Sequence, residues 1–208
     1  MTGAPSNRLS AARYRTILLF GAPGSGKGTV GKAIGAIPYF VHCACGDAFR
    51  TLDLSSPTGR VFLEYSSKGL LVPDATTIDL WHESIDGLVA TRRFVPEQDY
   101  LVLDGIPRNA GQAEIMDRYI DVRHVFNLVC DDEELMFRRL RRRALKENRL
   151  DDASEEVIRR RWRVYEEESA PILAHYPCEI IERIDAAGSP LQVIHRILGK
   201  LLALEPRA

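Results

Sequence analysis

The 208-residue chain has almost no net charge: 28 Lys and Arg stand against 29 Asp and Glu, a formal charge of −1. That balance excludes a global field of the kind that draws proteins onto nucleic acid or anionic membranes, and neither partner is expected. Long apolar runs are also missing. None approaches the ~20 residues that span a bilayer. Cysteine is sparse. Cys43, Cys45, Cys130 and Cys178 form no C-x-x-C pair, and no secretory leader is recognisable before them. Reduced thiols in a cytoplasmic protein are the expectation. A zinc site is not expected, because Cys43-x-Cys45 is too short and His42 is directly adjacent. The five histidines, His42, His82, His124, His175 and His195, match no nucleophile–base–acid arrangement. Trp81 and Trp162 fall at apolar positions of helical stretches and read as packing residues. No internal repeat or low-complexity linker divides the chain.

The length suits one α/β domain with a sizeable core. Residues 1–15 contain Arg8, Arg13 and Arg15 and no acid. They read as a flexible N-terminal extension ahead of a single domain over 16–208. Short apolar runs at Thr16–Phe20, Tyr39–Cys43, Tyr100–Asp104, His124–Val129 and Glu179–Ile184 are strand candidates. Helical patterning from Gly28 onward, and over Thr76–Thr91, Asp131–Leu145, Ser154–His175 and Pro190–Leu204, separates them. Ser154 is the candidate N-cap of the fourth helix. The alternation predicts a doubly wound, five-stranded parallel sheet with helices on both faces and a site at the strand C-termini.

The first strand runs into Gly21-Ala22-Pro23-Gly24-Ser25-Gly26-Lys27-Gly28-Thr29. Gly21, Gly26 and Lys27 meet the spacing G-x-x-x-x-G-K of a phosphate loop of the P-loop NTPase type. The glycines let backbone N–H groups turn inward on an anion, Lys27 adds a mobile charge, and the next helix aims its positive end at the same point. Position 28 is Gly, and the hydroxyl arrives one residue later at Thr29. The hydrophobic run Tyr100–Leu103 ends in Asp104, a carboxylate placed to order Mg²⁺ beside such a loop.

The segment Asp104-Gly105-Ile106-Pro107-Arg108-Asn109-Ala110-Gly111-Gln112, with Gly21–Thr29, resembles the nucleoside monophosphate kinases, and the adenylate kinases most closely. The likeness continues in order through Gly46–Arg50, Gly69–Asp74, Arg139–Arg143, Arg149–Asp152, Arg161–Tyr165 and Ala170–Tyr176, covering about residues 16–204. The resemblance implies phosphoryl transfer from MgATP to AMP, giving two ADP, by a monomer. It implies that Gly24, Ser25, Gly26, Lys27, Gly28 and Thr29, with Arg139 and Arg143, bind ATP. Lys27, Arg108, Arg143, Arg149 and Arg161 then form the catalytic cations, and Thr29 and Asp104 hold Mg²⁺ through water. Cys45, Arg50, Leu70, Val72, Gly105, Arg108 and Gln112 line the monophosphate site, on a helical insertion over about residues 45–75 and the strand edge. Only five residues separate Arg143 from Arg149, which resembles the short-lid members, with a lid over about residues 143–150.

Ten arginines fall between Arg138 and Arg163. Those matching no family position, Arg138, Arg141, Arg142, Arg159 and Arg160, read as a solvated helix face. Asp151 and Asp152 read as acids that hold the arginines in place, or Asp151 caps the next helix. The acceptor base is less sharply specified. Gln112 and Asp47 lean to AMP, whereas Asn109 resembles the pyrimidine branch, and Cys45 stands where adenylate kinases carry Thr or Ser. Loss of one hydroxyl contact is worth roughly 1 kcal/mol of base selectivity. UMP, CMP or broad acceptor use is therefore the alternative, and a catalytically weak nucleotide-binding regulator on the same fold is a second.

Overall fold

The computed structural model describes residues 13–147 and 154–202. Five strands form one parallel sheet: β1 (Tyr14–Gly21), β2 (Phe40–Ala44), β3 (Tyr100–Asp104), β4 (Ile120–Val129) and β5 (Ile181–Asp185). Their spatial order is β2-β3-β1-β4-β5. Neighbouring residues of a strand point to opposite faces, so each central strand feeds two cores. Ile17, Leu19, Val102, Phe126 and Leu128 meet Val30 and Ile34 of α1 (Lys27–Ile34) and Val193, Ile197 and Leu201 of α8 (Pro190–Leu201). Leu18, Phe20, Leu101, Leu103 and Val125 face the other way. They meet Trp81 and Ile85 of α4 (Asp74–Ala90), Ala113 and Met116 of α5 (Ala110–Met116), and Ile172. Strands buried on both faces explain why they appear in the sequence as near-continuous apolar runs.

From the end of β1 the chain leaves towards β2, and from the end of β3 it leaves towards β4 on the opposite side of β1. Two adjacent strands with diverging exits open a crevice at their carboxyl ends, the place where ligands bind in open α/β sheets. The segment over 45–75 is helical, with α2 (Cys45–Arg50) and α3 (Pro57–Ser66) joined by stacked Phe49 and Phe62 rings 5.1 Å apart. Ser56 caps α3 by accepting from the Gly59 N–H at 3.0 Å.

Several boundaries differ from the sequence expectations. β1 begins at Tyr14, inside the expected flexible extension, because Tyr14 N donates to Tyr119 O at 2.8 Å and β1 pairs with β4 from that residue. β4 likewise starts at Ile120, four residues before the expected His124, to match β1. Tyr39 stands outside β2 in a left-handed turn with φ 69°. The helix expected over Ser154–His175 is three structures. α7 (Glu155–Val164) is capped by Ser154, a wide π turn covers Tyr165–Ser169, and a 3₁₀ segment covers Ala170–His175. Pro171 is the physical cause: it has no N–H to give, and its ring clashes with the carbonyl four residues back, so the α-helical ladder cannot run through it. α6 (Glu133–Glu147) carries the first group of arginines. Arg149, Asp151 and Asp152 lie outside the described residues, as does the far part of the expected lid.

Candidate active site

Every described residue that the sequence singled out for the site lines one cleft of about 640 Å³ at the carboxyl end of the sheet. Its floor is the loop between β1 and α1. Gly21 turns out of the strand at φ 142°, where a Cβ would meet Leu128 O at 2.4 Å. Gly26 is left-handed at φ 98° and stands at the N-cap of α1 with no side chain to satisfy the first N–H groups. The first turn of α1 contains no acid. Exposed amides and an uncompensated helix dipole make this an anion cradle. The hydroxyl of Ser25 is buried within it and has no hydrogen-bond partner in the protein, which fits a phosphate oxygen supplied by a ligand.

Lys27 Nζ donates to the carbonyls of Gly21 at 2.5 Å and Ala22 at 3.1 Å. Burial pulls its pKa down to about 8; Asp104 opposes that shift, and the charges of Arg108, Arg143 and Arg161 add to it. Lys27, Arg108, Arg143 and Arg161 therefore share one cleft. Positive charge gathered in a cleft suits an anionic ligand.

Asp104 ends β3 with Leu19 of β1 on one side and Ala44 of β2 on the other. A Cβ at position 28 would lie 3.5 Å from Asp104 Oδ2. Gly28 therefore leaves the carboxylate uncovered on the loop side, while Thr29, the next residue, is exposed. Among the described residues no three His, Cys, Asp or Glu side chains gather as a metal cage. One carboxylate beside a phosphate loop fits Mg²⁺, an ion that keeps several waters and takes its remaining ligands from phosphates. The neighbouring thiols are inert. Burial pushes Cys43 to about 12 and Cys45 to about 11, and Cys45 is 2% exposed, so it fills the wall as a small apolar group.

The arginines are individually held. Arg108 Nε donates to Gly105 O at 2.7 Å, and Ser169 Oγ, delivered by the π turn, donates to Arg108 O at 2.8 Å. Gly105 is left-handed at φ 81°, and a Cβ there would lie 3.0 Å from Arg108 Nη2. Arg50 Nη2 pairs with Asp47 Oδ1 at 2.6 Å. The stem of Arg161 lies over Gly69, where a Cβ would sit 3.1 Å from Arg161 Cγ. Arg139 forks onto backbone: Nη1 donates to Ala186 O and Nη2 to Gly188 O, both at 2.8 Å. Arg141, Arg159 and Arg160 form surface ion pairs with Glu155 and Glu156, as a solvated face should. Arg142 departs from that expectation: it is exposed but also lines the cleft beside Arg143.

Of the residues expected around the acceptor, Leu70 is 41% exposed and Val72 is 8% exposed. Gln112 is fully buried, with Oε1 accepting from Arg108 N and Nε2 donating to Asp74 Oδ1, each at 2.8 Å. Sequence reasoning gave Ser169 and Asp74 no role. Their partners lie 61 and 38 residues away, so no local spacing announces them. The Pro171 that shapes the π turn was the one available sign for Ser169.

A family model described as adenylate kinase matches residues 19–181. An adenylate kinase of Thermobifida fusca is 36% identical, over 89% of this chain and 97% of its own length. One from Flavobacterium psychrophilum is 33% identical over 77% and 83% respectively. Bovine adenylate kinase isoenzyme 1 is 31% identical over 93% and 97%. With that family match over most of its length, and with a phosphate loop and a strand-end aspartate lining one cleft, the chain belongs to the adenylate kinase family.

Proposed function

We propose that this protein catalyses reversible phosphoryl transfer from MgATP to AMP, producing two ADP. The observation that carries the reading is that Lys27, Arg108, Arg143 and Arg161 line one cleft together with the phosphate loop and with Leu70, Val72 and Gln112. A transferring phosphoryl group spreads negative charge over its equatorial oxygens, so catalysis consists of alignment and a fixed shell of cations.

In this reading the loop amides and Ser25 hold the triphosphate, and Lys27 exchanges its carbonyl partners for the moving phosphoryl group. Arg50 and Arg108 grip the acceptor phosphate with planar forks suited to two oxygens at once. Arg143 and Arg161, with Arg149 by family resemblance, neutralise the charge in transfer. Arg139 builds the donor-base wall by clamping the backbone of 186–188. Thr29 and Asp104 hold Mg²⁺ through water, and the ion supplies further charge neutralisation on the phosphates. Gln112 reads the acceptor base. All these groups come from one chain, so a monomer suffices. Among the described residues no helix is long and apolar enough to cross a membrane, and a cytoplasmic setting fits the four thiols.

The test is ADP formation from MgATP with AMP, CMP, UMP, GMP and dAMP supplied separately. AMP is expected to be the best acceptor. No turnover with any acceptor defeats the kinase reading, and faster turnover with CMP or UMP defeats the acceptor assignment. Lys27→Met is expected to lower kcat by at least about a hundredfold with an unchanged unfolding midpoint; retained turnover would contradict the role given to Lys27.

A further inference from the structure

Three side chains from two elements form a closed hydrogen-bond set behind the acceptor pocket. Asp74, in the first turn of α4, accepts at Oδ1 from both Gln112 Nε2 and Asn109 Nδ2, each at 2.8 Å. Asn109 Oδ1 accepts from Gln112 N at 2.8 Å, which caps α5. Gln112 Oε1 accepts from Arg108 N at 2.8 Å. An ionised carboxylate only accepts, and a backbone N–H only donates. Together they fix the Gln112 amide in one orientation. Turned over, the amide would set oxygen against Asp74 Oδ1 and N–H against Arg108 N–H. That conflict would cost the hydrogen bonds on both sides of the amide.

The locked amide has one N–H and one carbonyl lone pair unspent, in a side chain that lines the cleft. That pair complements a base edge with a ring-nitrogen acceptor beside an amino group, as in adenine. The inverted pair would complement a ring N–H beside a carbonyl, as in hypoxanthine. We propose that Asp74 is a specificity-determining positioning residue, which selects 6-aminopurine over 6-oxopurine monophosphates by holding the Gln112 amide one way round. This rests on the reading that Gln112 faces the acceptor base. The position of Asp74 suits the task. It follows Leu70 and Val72 directly along the chain, and its charge sits at the favourable end of α4.

The experiment measures kcat and KM for AMP and for IMP, with MgATP saturating. In Asp74→Ala the AMP-to-IMP ratio of kcat/KM is expected to fall about tenfold, chiefly through a higher KM for AMP, with KM for ATP unchanged. Asp74→Asn keeps an acceptor oxygen in place and is expected to stay within about twofold of the parent ratio. Equal losses for AMP and IMP in Asp74→Ala, the signature of a merely structural role, overturn the proposal. Should Asp74→Ala not fold, Asp74→Glu carries the same test, since the extra methylene displaces the carboxylate from both amides. Gln112→Ala separates the two readings. If it leaves the ratio unchanged, Gln112 does not read the base and both fall. If it collapses the ratio while Asp74→Ala does not, only the role of Asp74 falls.

Discussion

His42 shows how one side chain can be set by two glycines. Its imidazole lies across α1, where a Cβ on Gly31 would come within 2.2 Å of Nε2, and one on Gly35 within 2.7 Å of the His42 Cβ. Gly31→Ala must therefore displace a packed ring. It is expected to cost about 1–3 kcal/mol, seen as a lower urea midpoint at an unchanged slope. Burial holds the His42 pKa below its ordinary value, with Asp104 and Asp47 opposing and Lys32 assisting. Its Nε2 has no partner in the protein. Burial depresses His82 and His124 as well. A histidine depressed in the folded state binds its proton more readily when unfolded. Stability is then complete above about pH 6.5, the unfolded value, and declines as pH falls from there towards the folded pKa. The urea midpoint is expected to drop between pH 7.5 and 5.5, and less steeply in His42→Gln. Equal slopes for the two proteins would remove His42 from the account.

At the scale of elements, α6 reaches the loop before α8, which the proposed function places on the donor side. Arg139 ties Ala186, Ala187 and Gly188 by their carbonyls, and the capping box of Ser189 and Gln192 fixes the helix start immediately after. Arg139→Lys keeps the charge but loses the fork. It is expected to raise KM for ATP about tenfold and leave KM for AMP unchanged, as measured by initial rates with each substrate varied in turn. A rise in both constants would mean that α6 supports the whole cleft and not the donor wall alone. This contact also marks where the sequence stops being legible. The five strands were visible because burial on both faces demands apolar runs, and the phosphate loop because its glycine and lysine spacing is dictated by backbone geometry. Arg139, Arg143 and Arg161 were visible only through the resemblance. Ser169 on Arg108 and Asp74 on Gln112 were not visible, since a hydrogen bond between residues far apart in the chain needs the fold before it has a distance. The π turn escaped because periodicity counts apolar positions and does not register a change of winding at Pro171.

For the whole molecule, the decisive property of the proposed function is that its donor and acceptor groups belong to different parts resting on one sheet. In that proposal α2, α3 and the stretch through Val72 supply the acceptor wall. α6 and α7 supply cations, and Arg161 and Arg160 of α7 reach back to Gly69 and to Lys68 O. The core of β1, β3 and β4 is essentially without solvent contact: Ile17, Leu18, Leu101, Leu103, Val125 and Phe126 are all 0% exposed. A kinase must exclude water from the transferring phosphoryl group, or hydrolysis competes with transfer. The groups that shut water out are those around the cleft, since the sheet is already sealed. A dinucleotide that spans both subsites, two adenosines joined by five phosphates, is therefore expected to slow amide hydrogen exchange in two separate regions, residues 45–72 and residues 139–145, while β1 and β3 exchange slowly with or without it. ATP alone is expected to protect only the second region and AMP only the first. Protection of both regions by either nucleotide alone would mean that the two walls close as one body, and would overturn the division of the cleft into separately closing donor and acceptor sides.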